Sequence, residues 1–267
     1  MLIVGFCQIN QETTPRIAIV IPARINSERL PSKALLPFYE LPMVEHVRRR
    51  GLLNSFGVPV FVTTGDAEIL DAVESLGGNV RLSRSEHLNG TSRVHEFSES
   101  CEFTHFLILQ GDEILVLPEQ LDSIIASILA RPDVDFWNMV TALKEPEELS
   151  NQSVVKCVLN QDSDILSIFR KSPLIAEVND QIKLVHKICG LFAVSREALS
   201  VMAKMDPTPL EMSESIEQLK FLELGFKIRT IMTPFSYPSI NLPEDVEMVS
   251  GMLLTDIKQV EVLKKIL

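Results

Sequence analysis

The sequence predicts an α/β fold in which an open, mostly parallel sheet is covered by helices on both faces. Short apolar, β-branched runs alternate with segments of helical spacing, which is typical of a parallel sheet. A basic loop and a lone aspartate each follow one of these runs, where the ligands of such sheets bind. With 267 residues, 46% of them hydrophobic, the chain can bury a large core.

The first half of the chain supplies strands and helices in alternation. The predicted strands are residues 17–21, 58–63, 80–82 and 106–109. The helix predicted at 42–53 has apolar residues at helical spacing and arginines near its end, where cations complement the helix dipole. The helix predicted at 66–76 begins with Asp66 and Glu68 and ends before Gly77.

The second half of the chain is richer in strand patterns and contains no Gly/Ser-rich linker. Its predicted strands are 153–159, 165–169, 190–194 and 228–233, and its predicted helices are 211–224 and 243–253. We therefore expect one domain over residues 16–267, with a β-rich insertion at about 150–195. Residues 1–15 precede the first predicted strand and are interpreted as an N-terminal extension.

Composition and charge exclude several classes of function. The net charge of −11 repels phosphate backbones, so broad nucleic-acid binding is not expected. No run reaches the roughly 18 apolar residues that a membrane span needs, and the start lacks the positive region of a signal peptide. The four cysteines have no metal-site spacing, which predicts reduced thiols and a cytoplasmic location.

A cation-rich loop and an aspartate are the strongest local indications of function. Arg24, Arg29 and Lys33 follow the strand at 17–21, and such a loop suits a polyphosphate because Arg and Lys neutralise phosphate charge. A basic surface loop is the alternative. Asp112 follows the strand at 106–109. Since both strands are predicted to end at the same edge of the sheet, we expect cations and carboxylate on one rim.

Six segments carry a resemblance to the 3-deoxy-manno-octulosonate cytidylyltransferases, the CMP-Kdo synthetases. In chain order they are PARxxSxRLPxK at 22–33, GTxR at 90–93, QGDE at 110–113, VVK at 154–156, PLE at 209–211 with EQLK at 217–220, and PED at 243–245. The resemblance covers roughly residues 17–255. It implies a Rossmann-like open sheet of the nucleotide-diphospho-sugar transferase type, with the β-rich insertion serving dimerisation.

The resemblance also implies an activity and its partners. The family transfers CMP from CTP to a sugar acid such as Kdo and releases pyrophosphate, usually with Mg²⁺. Catalysis of this kind rests on positioning and on cations that stabilise the triphosphate. The implied partners are CTP, a small acidic sugar and a second copy of the chain, with no nucleic acid and no membrane.

Residue roles follow from the matched segments. The resemblance makes Arg24, Lys33 and Asp112 catalytic, and it assigns the metal to Asp112 and Asn241. The implied nucleotide-binding residues are Pro22, Ala23, Arg24, Arg29, Lys33, Asn89, Gly90, Thr91 and Arg93. The implied acceptor-binding residues are Gln110, Lys171, Glu217 and Gln218. His87 and His186 match no motif, so we expect them at the surface or behind the site.

Three departures from the family pattern fall in the acceptor and metal half. Asn241 stands where the family has a second metal-binding Asp, and an amide oxygen brings no negative charge. Ile188 replaces a His, and Lys171 replaces an Arg, at positions that help the family hold the sugar carboxylate. Two hypotheses remain open beside Kdo transfer: a different small acid acceptor such as a phosphonate, or a catalytically weak nucleotide-binding relative with a regulatory or partner role.

Overall fold

A computed structural model describes residues 14–27, 29–84, 86–87, 89–235 and 237–267. Its strands are β1 (Ile17–Ala23), β2 (Pro37–Phe38), β3 (Leu41–Pro42), β4 (Val60–Thr64), β5 (Val80–Leu82), β6 (His105–Leu109), β7 (Phe136–Ala142), β8 (Lys156–Leu159), β9 (Ile165–Phe169), β10 (Val185–Ser195) and β11 (Arg229–Met232). Nearly all of the predicted extension, residues 1–13, lies outside the described residues.

The helices pack on both faces of the sheet and at its ends. They are α1 (Met43–Leu52), α2 (Ala67–Ser75), α3 (Gly90–Glu99), α4 (Pro118–Ala130), α5 (Glu147–Ser150), α6 (Val178–Leu184), α7 (Arg196–Lys204), α8 (Pro209–Glu214), α9 (Gln218–Glu223), α10 (Pro243–Thr255) and α11 (Ile257–Ile266). A single 3-10 turn, Lys33–Leu35, ends the basic loop. Within the described residues, no helix has the length and apolarity required to cross a membrane.

The main sheet confirms the predicted open α/β architecture. Its strand order is β11-β7-β10-β6-β1-β4-β5, and β1 lies parallel to both β4 and β6. β10 is the exception, since it runs antiparallel to β6 and β7. The carboxyl ends of β1, β4 and β6 therefore meet at one edge, and the segments that follow them build the site.

Core packing explains why β1 reads as a continuous apolar run. All seven of its residues are buried. Ile19 and Ile21 pack into the core cluster on one face of the sheet, while Ala18 and Val20 pack into the cluster on the other face. A strand covered on both faces cannot alternate between apolar and polar residues, so periodicity alone does not reveal it.

The strand predicted at 190–194 is longer in the structure and serves two roles. Its first residues pair with the β8–β9 hairpin through Val185 and Val158, and its last residues lie between β6 and β7. The register against β7 shifts between Ile188 and Phe192, around Gly190. The β-rich segment thus continues the main sheet, and its role in dimerisation stays a prediction.

The single helix predicted at 211–224 is wrong, because the structure has two short helices there. Ser215 adopts a left-handed conformation, with φ of 53°, which ends α8. Glu217 then occupies the N-cap position of α9. The break matters for function because it turns Glu217 toward the site described below, instead of leaving it on a continuous amphipathic helix.

The loop between α2 and β5 depends on the absence of a side chain at Gly78. A Cβ atom there would lie 2.5 Å from Val73 Cγ1 and 2.7 Å from Arg48 Nε. We expect Gly78→Ala to lower the free energy of unfolding by about 1–3 kcal/mol in urea denaturation, because both neighbours are buried. The control Gly251→Ala, in α10 with open space around the added methyl group, should be neutral or slightly stabilising. Equal unfolding midpoints for the two variants would contradict this account.

Candidate active site

A cavity of about 430 Å³ opens at the carboxyl ends of β1, β4 and β6. It brings together most of the residues that the sequence predicts for nucleotide, acceptor and metal. The lining comprises Pro22, Ala23, Arg24, Ser27, Arg29, Lys33, Ala34, Met43, His87, Asn89, Gly90, Arg93, Gln110, Gly111, Asp112, Glu217 and Asn241.

An ion pair at the rim of the cavity joins Lys33 to Asp112. Lys33 Nζ donates to Asp112 Oδ2 at 2.6 Å and to the carbonyl of Ile240 at 3.1 Å. The two charged side chains are only 19% and 21% exposed, so solvent screens their attraction incompletely. The carboxylate that the resemblance assigns to a metal is therefore neutralised by an ammonium group of the same cavity.

A second contact ties the basic loop to the segment before α10. Arg29 Nη2 donates to Asn241 Oδ1 at 3.1 Å, and Asn241 Nδ2 donates to Ser239 Oγ at 2.9 Å. The backbone N–H of Asn241 donates to Asp245 Oδ2 at 2.7 Å, which fixes the start of α10. Arg29 and Lys33 thus both donate hydrogen bonds to residues 240–241. The Asn241 amide oxygen, which the resemblance assigns to a metal, accepts from the Arg29 guanidinium.

Asp66 anchors the basic loop, a role that sequence reasoning missed. Its Oδ2 accepts the backbone N–H of Ile25 at 2.8 Å, directly after β1. The loop then closes through the Ser32 N–H, which donates to the Ile25 carbonyl at 3.0 Å. A signal was available, because Asp66 comes two residues after the end of β4, which neighbours β1. An acid at that place can reach the end of the adjacent strand.

The 89–93 segment is the first turn of α3. Asn89 caps this helix by accepting the N–H of Ser92 at 2.9 Å. Gly90 allows close packing, since a Cβ there would lie 3.0 Å from Pro22 Cγ. Arg93 is buried and donates to Ser83 Oγ at 3.1 Å, and burial lowers the pKa of its guanidinium. The poorly solvated guanidinium of Arg93 therefore lines the cavity next to the N-terminus of α3.

Two of the predicted acceptor residues line the cavity. Gln110 directly follows β6, and Glu217 accepts a hydrogen bond from the Thr91 hydroxyl. Burial raises the pKa of the Glu217 carboxyl, and the Thr91 hydrogen bond opposes that effect. Thr91 itself lines a neighbouring cavity of about 530 Å³ that shares Glu217.

The other two predicted acceptor residues lie away from the cavity lining. Lys171 is exposed, and Gln218 Nε2 donates to Asn138 Oδ1 at 3.3 Å. Ile188, which replaces the family's His, packs against the second core cluster. The acceptor roles of Lys171 and Gln218 stay predictions, since neither side chain is among the residues that line the cavity.

His87 is the second functional candidate that sequence reasoning missed. Its side chain is 9% exposed, lines both cavities and lies 2.8 Å from Glu96 Oε2 through Nε2. His186 lines neither cavity, and its Nδ1 is buried without a partner among the described residues. No local motif marks either histidine, and only the fold brings His87 to the rim.

The oxygen ligands at the rim suit Mg²⁺ only together with a phosphate chain. Within the described residues, no cluster of three or more His, Cys, Asp or Glu is arranged to hold a metal. Asp112 and Asn241 both line the cavity, and the Ile240 N–H donates to the Asp112 carbonyl at 3.2 Å. Because Mg²⁺ usually binds one or two carboxylates, waters and substrate phosphates, this donor set fits it.

Glu113 lies directly behind the rim. Burial, followed by the charge of Asp112, raises the pKa of its carboxyl to about 8. The carboxyl contacts Gly190, where a Cβ atom would overlap it. The absence of a side chain at Gly190, in the irregular part of β10, therefore gives this carboxyl its space.

Comparison with known proteins agrees with this geometry. The cytidylyltransferase family model matches residues 18–228. The chain belongs to the cytidylyltransferase family, a class of nucleotidyltransferases. Within it, the chain is 36% identical over 238 residues to the 3-deoxy-manno-octulosonate cytidylyltransferase of Chlorobium limicola, covering 88% of this chain and 96% of that protein.

Two further relatives support the same assignment. The 3-deoxy-manno-octulosonate cytidylyltransferase of Escherichia coli is 30% identical, with 91% of this chain and 98% of the relative covered. The solved structure of CMP:2-keto-3-deoxy-manno-octonic acid synthetase complexed with CTP superposes with a TM-score of 0.85 at 30% identity. That match covers 91% of this chain and 100% of the other. The predicted fold class and family are thereby confirmed.

The raised pKa of Glu113 predicts a pH-dependent stability. A carboxyl whose pKa rises from 4.5 to about 8 on folding makes the free energy of unfolding fall as the pH rises between those values. Glu113→Gln should therefore be more stable than wild type at pH 8.5, by on the order of 1–3 kcal/mol, and closer to it at pH 4.5. Urea denaturation in EDTA at both values measures this.

The matched control for this prediction is Glu247→Gln, at an exposed position of α10. It should follow the wild-type dependence on pH. If Glu113→Gln also keeps the wild-type slope, the carboxyl is ionised in the folded protein at neutral pH and the assigned burial cost is wrong.

Proposed function

We propose that the protein transfers CMP from CTP to Kdo or a closely related sugar acid and releases pyrophosphate. The observation that carries the proposal is the Lys33–Asp112 pair, at 2.6 Å, in a cavity that Arg24 and Arg29 also line. The three cations of the basic loop and the Asp112 carboxylate match the charges of a triphosphate and its counter-ion. We infer the identity of the acceptor from the names of the relatives.

The cations of the basic loop stabilise the negative charge that develops on the leaving pyrophosphate. The acceptor hydroxyl attacks the α-phosphorus and releases its proton to solvent. The bond from that phosphorus to the bridging oxygen breaks, and its electron pair leaves on pyrophosphate. Arg24 and Arg29 lie on a loop that is already tied to Asp66 and to residues 239–241, so they neutralise this charge with little reorganisation of the backbone. Lys33 adds its charge once it leaves Asp112. Their contribution is positioning and electrostatic stabilisation.

The metal and the acceptor have distinct candidate ligands. A bound Mg²⁺ neutralises phosphate oxygens and orients the triphosphate. Asp112 would hold it, and Lys33, displaced from Asp112, would then contact a phosphate. Gln110 and Glu217 line the same cavity and suit the hydroxyl groups of a sugar acid.

The test is pyrophosphate release from CTP with Kdo and Mg²⁺, in wild type and in Asp112→Asn. We expect turnover by wild type and a loss of at least about 100-fold in kcat for the variant. The reason is that the substitution removes the charged carboxylate that would bind Mg²⁺. Metal-free CTP affinity, measured by calorimetry, should be equal or higher in the variant because Lys33 is released from its partner.

The control for this test is Asp71→Asn, at an exposed position of α2. It should behave as wild type. CTP binding without turnover on Kdo or on other sugar acids would contradict the proposal and favour a nucleotide-binding relative. Turnover on a phosphonate or another small acid alone would place the acceptor outside the Kdo class.

We also propose that the protein acts in the cytoplasm as a homodimer built through residues 150–195. In that segment Leu166, Ile175, Val178 and Leu184 are exposed, with Ile175 fully accessible. Apolar side chains concentrated on one segment are typical of a protein–protein contact. The reduced thiols expected from the cysteine pattern support the cellular location.

A charge placed in this apolar segment should weaken the dimer. Ile175→Glu is expected to raise the dimer dissociation constant by at least about tenfold, equivalent to about 1.4 kcal/mol, in sedimentation equilibrium. Ile257→Glu, at an apolar position of α11 that is 77% exposed, is the control and should leave the constant unchanged. A wild-type protein that sediments as a monomer would rule out the proposed dimer.

A further inference from the structure

We infer that His87, oriented by Glu96, selects cytosine over uracil by accepting a hydrogen bond from the 4-amino group of the base. The inference rests on the proposed function, because it assumes that CTP occupies the cavity. It assigns base discrimination to a histidine and a carboxylate that lie outside the phosphate loop and the metal-binding residues.

The contact between the two side chains is well defined. His87 Nε2 lies 2.8 Å from Glu96 Oε2, and Glu96 Oε1 accepts the backbone N–H of Arg84 at 2.6 Å. Glu96 belongs to α3, so its position is fixed by the helix. The imidazole is held between the helix and the cavity, with its side chain 9% exposed.

The carboxylate determines the tautomer of the ring. An ionised carboxylate only accepts hydrogen bonds, so Nε2 carries the proton and Nδ1 of the neutral ring becomes an acceptor. Across the described ranges, no residue donates to His87 Nδ1. The acceptor edge of the ring is therefore left for a ligand.

His87 lies apart from the phosphate loop, among residues that the resemblance assigns to nucleotide binding. The phosphate loop follows β1, whereas His87, Asn89, Gly90 and Arg93 form the lip of the cavity around the start of α3. The close packing of Gly90 on Pro22 brings this lip against the end of β1. A nucleoside triphosphate that places its phosphates on the loop would extend its base toward this lip.

The other polar groups of the lip leave His87 as the acceptor. Asn89 Oδ1 accepts the Ser92 N–H, and Arg93 can only donate, which suits the 2-carbonyl of the pyrimidine. Cytosine presents an amino donor at C4, whereas uracil presents a carbonyl acceptor. A carbonyl facing Nδ1 leaves two acceptors unpaired, and such mismatches give strong discrimination.

Glu96→Gln tests the inference by reversing the tautomer. The glutamine oxygen can keep the Arg84 contact while its NH₂ donates to His87 Nε2, which moves the ring proton to Nδ1. We expect the ratio of CTP to UTP affinity to fall at least about tenfold, with UTP binding tighter than to wild type. Calorimetric titrations of CTP and UTP, with and without Mg²⁺, measure this without turnover.

Two further variants complete the experiment. Glu99→Gln, at an exposed position of the same helix, should keep the wild-type ratio. His87→Ala, checked for folding by its thermal midpoint, should lose CTP affinity and bring the ratio toward one. A Glu96→Gln or His87→Ala protein that loses CTP and UTP affinity equally would overturn the inference, since it would show a merely structural role.

The two proposals fail in different ways. A wild-type protein that binds CTP in preference to UTP but does not form product overturns the transferase function, and the binding ratios of the variants still decide the role of His87. A wild-type protein that binds CTP and UTP equally overturns the role of His87 and leaves the transferase function standing.

Discussion

The attraction between Lys33 and Asp112 governs the arrangement of the cavity. These residues follow β1 and β6, which are adjacent parallel strands, so their ends are separated by only about one strand spacing of 4.8 Å. A carboxylate and several cations at such an edge attract one another, and the 2.6 Å contact joins two of them. The bonds from Arg29 to Asn241 and from Lys33 to the Ile240 carbonyl extend the same arrangement to the start of α10. The basic loop is thus fastened on both sides before substrate arrives.

Much of the sheet was predictable because its central strands are covered on both faces and read as continuous apolar runs. The break at Ser215 was not, because its left-handed conformation is set by how α8 and α9 pack and no glycine marks it. The full length of β10 also escaped prediction. Its first half pairs with a hairpin and carries no continuous apolar pattern, so only the part buried in the main sheet was recognisable.

The charged part of the site followed from sequence, whereas its supports did not. Arg24 directly follows β1, Lys33 lies further along the same loop, and Asp112 comes shortly after β6. The ends of such strands converge in a parallel sheet. The roles of Asp66 and His87 depend on pairings across the fold, with Ile25 and Glu96 respectively, and neither pair forms a local motif. Lys171 was predicted from its position in the family pattern, but its side chain is exposed and is not among the residues that line the cavity.

The irregularity of β10 around Gly190 separates two halves of the strand that pair with different neighbours. Beyond it, the chain is locked between β6 and β7. Before it, residues 186–188 pair with β7, and residues 185–187 pair with β8 of the β8–β9 hairpin. The hairpin turn is also bonded to β11, where Arg229 Nε donates to Asp164 Oδ1 at 2.6 Å. The hairpin is thus tied to β10 and β11, whereas β6, which leads to Asp112, pairs with the inner half of β10. Substitutions on the exposed face of the hairpin therefore leave the pairing of β6 with β10 in place. This arrangement allows the hairpin surface, and any partner bound to it, to change during evolution while the nucleotide site is kept.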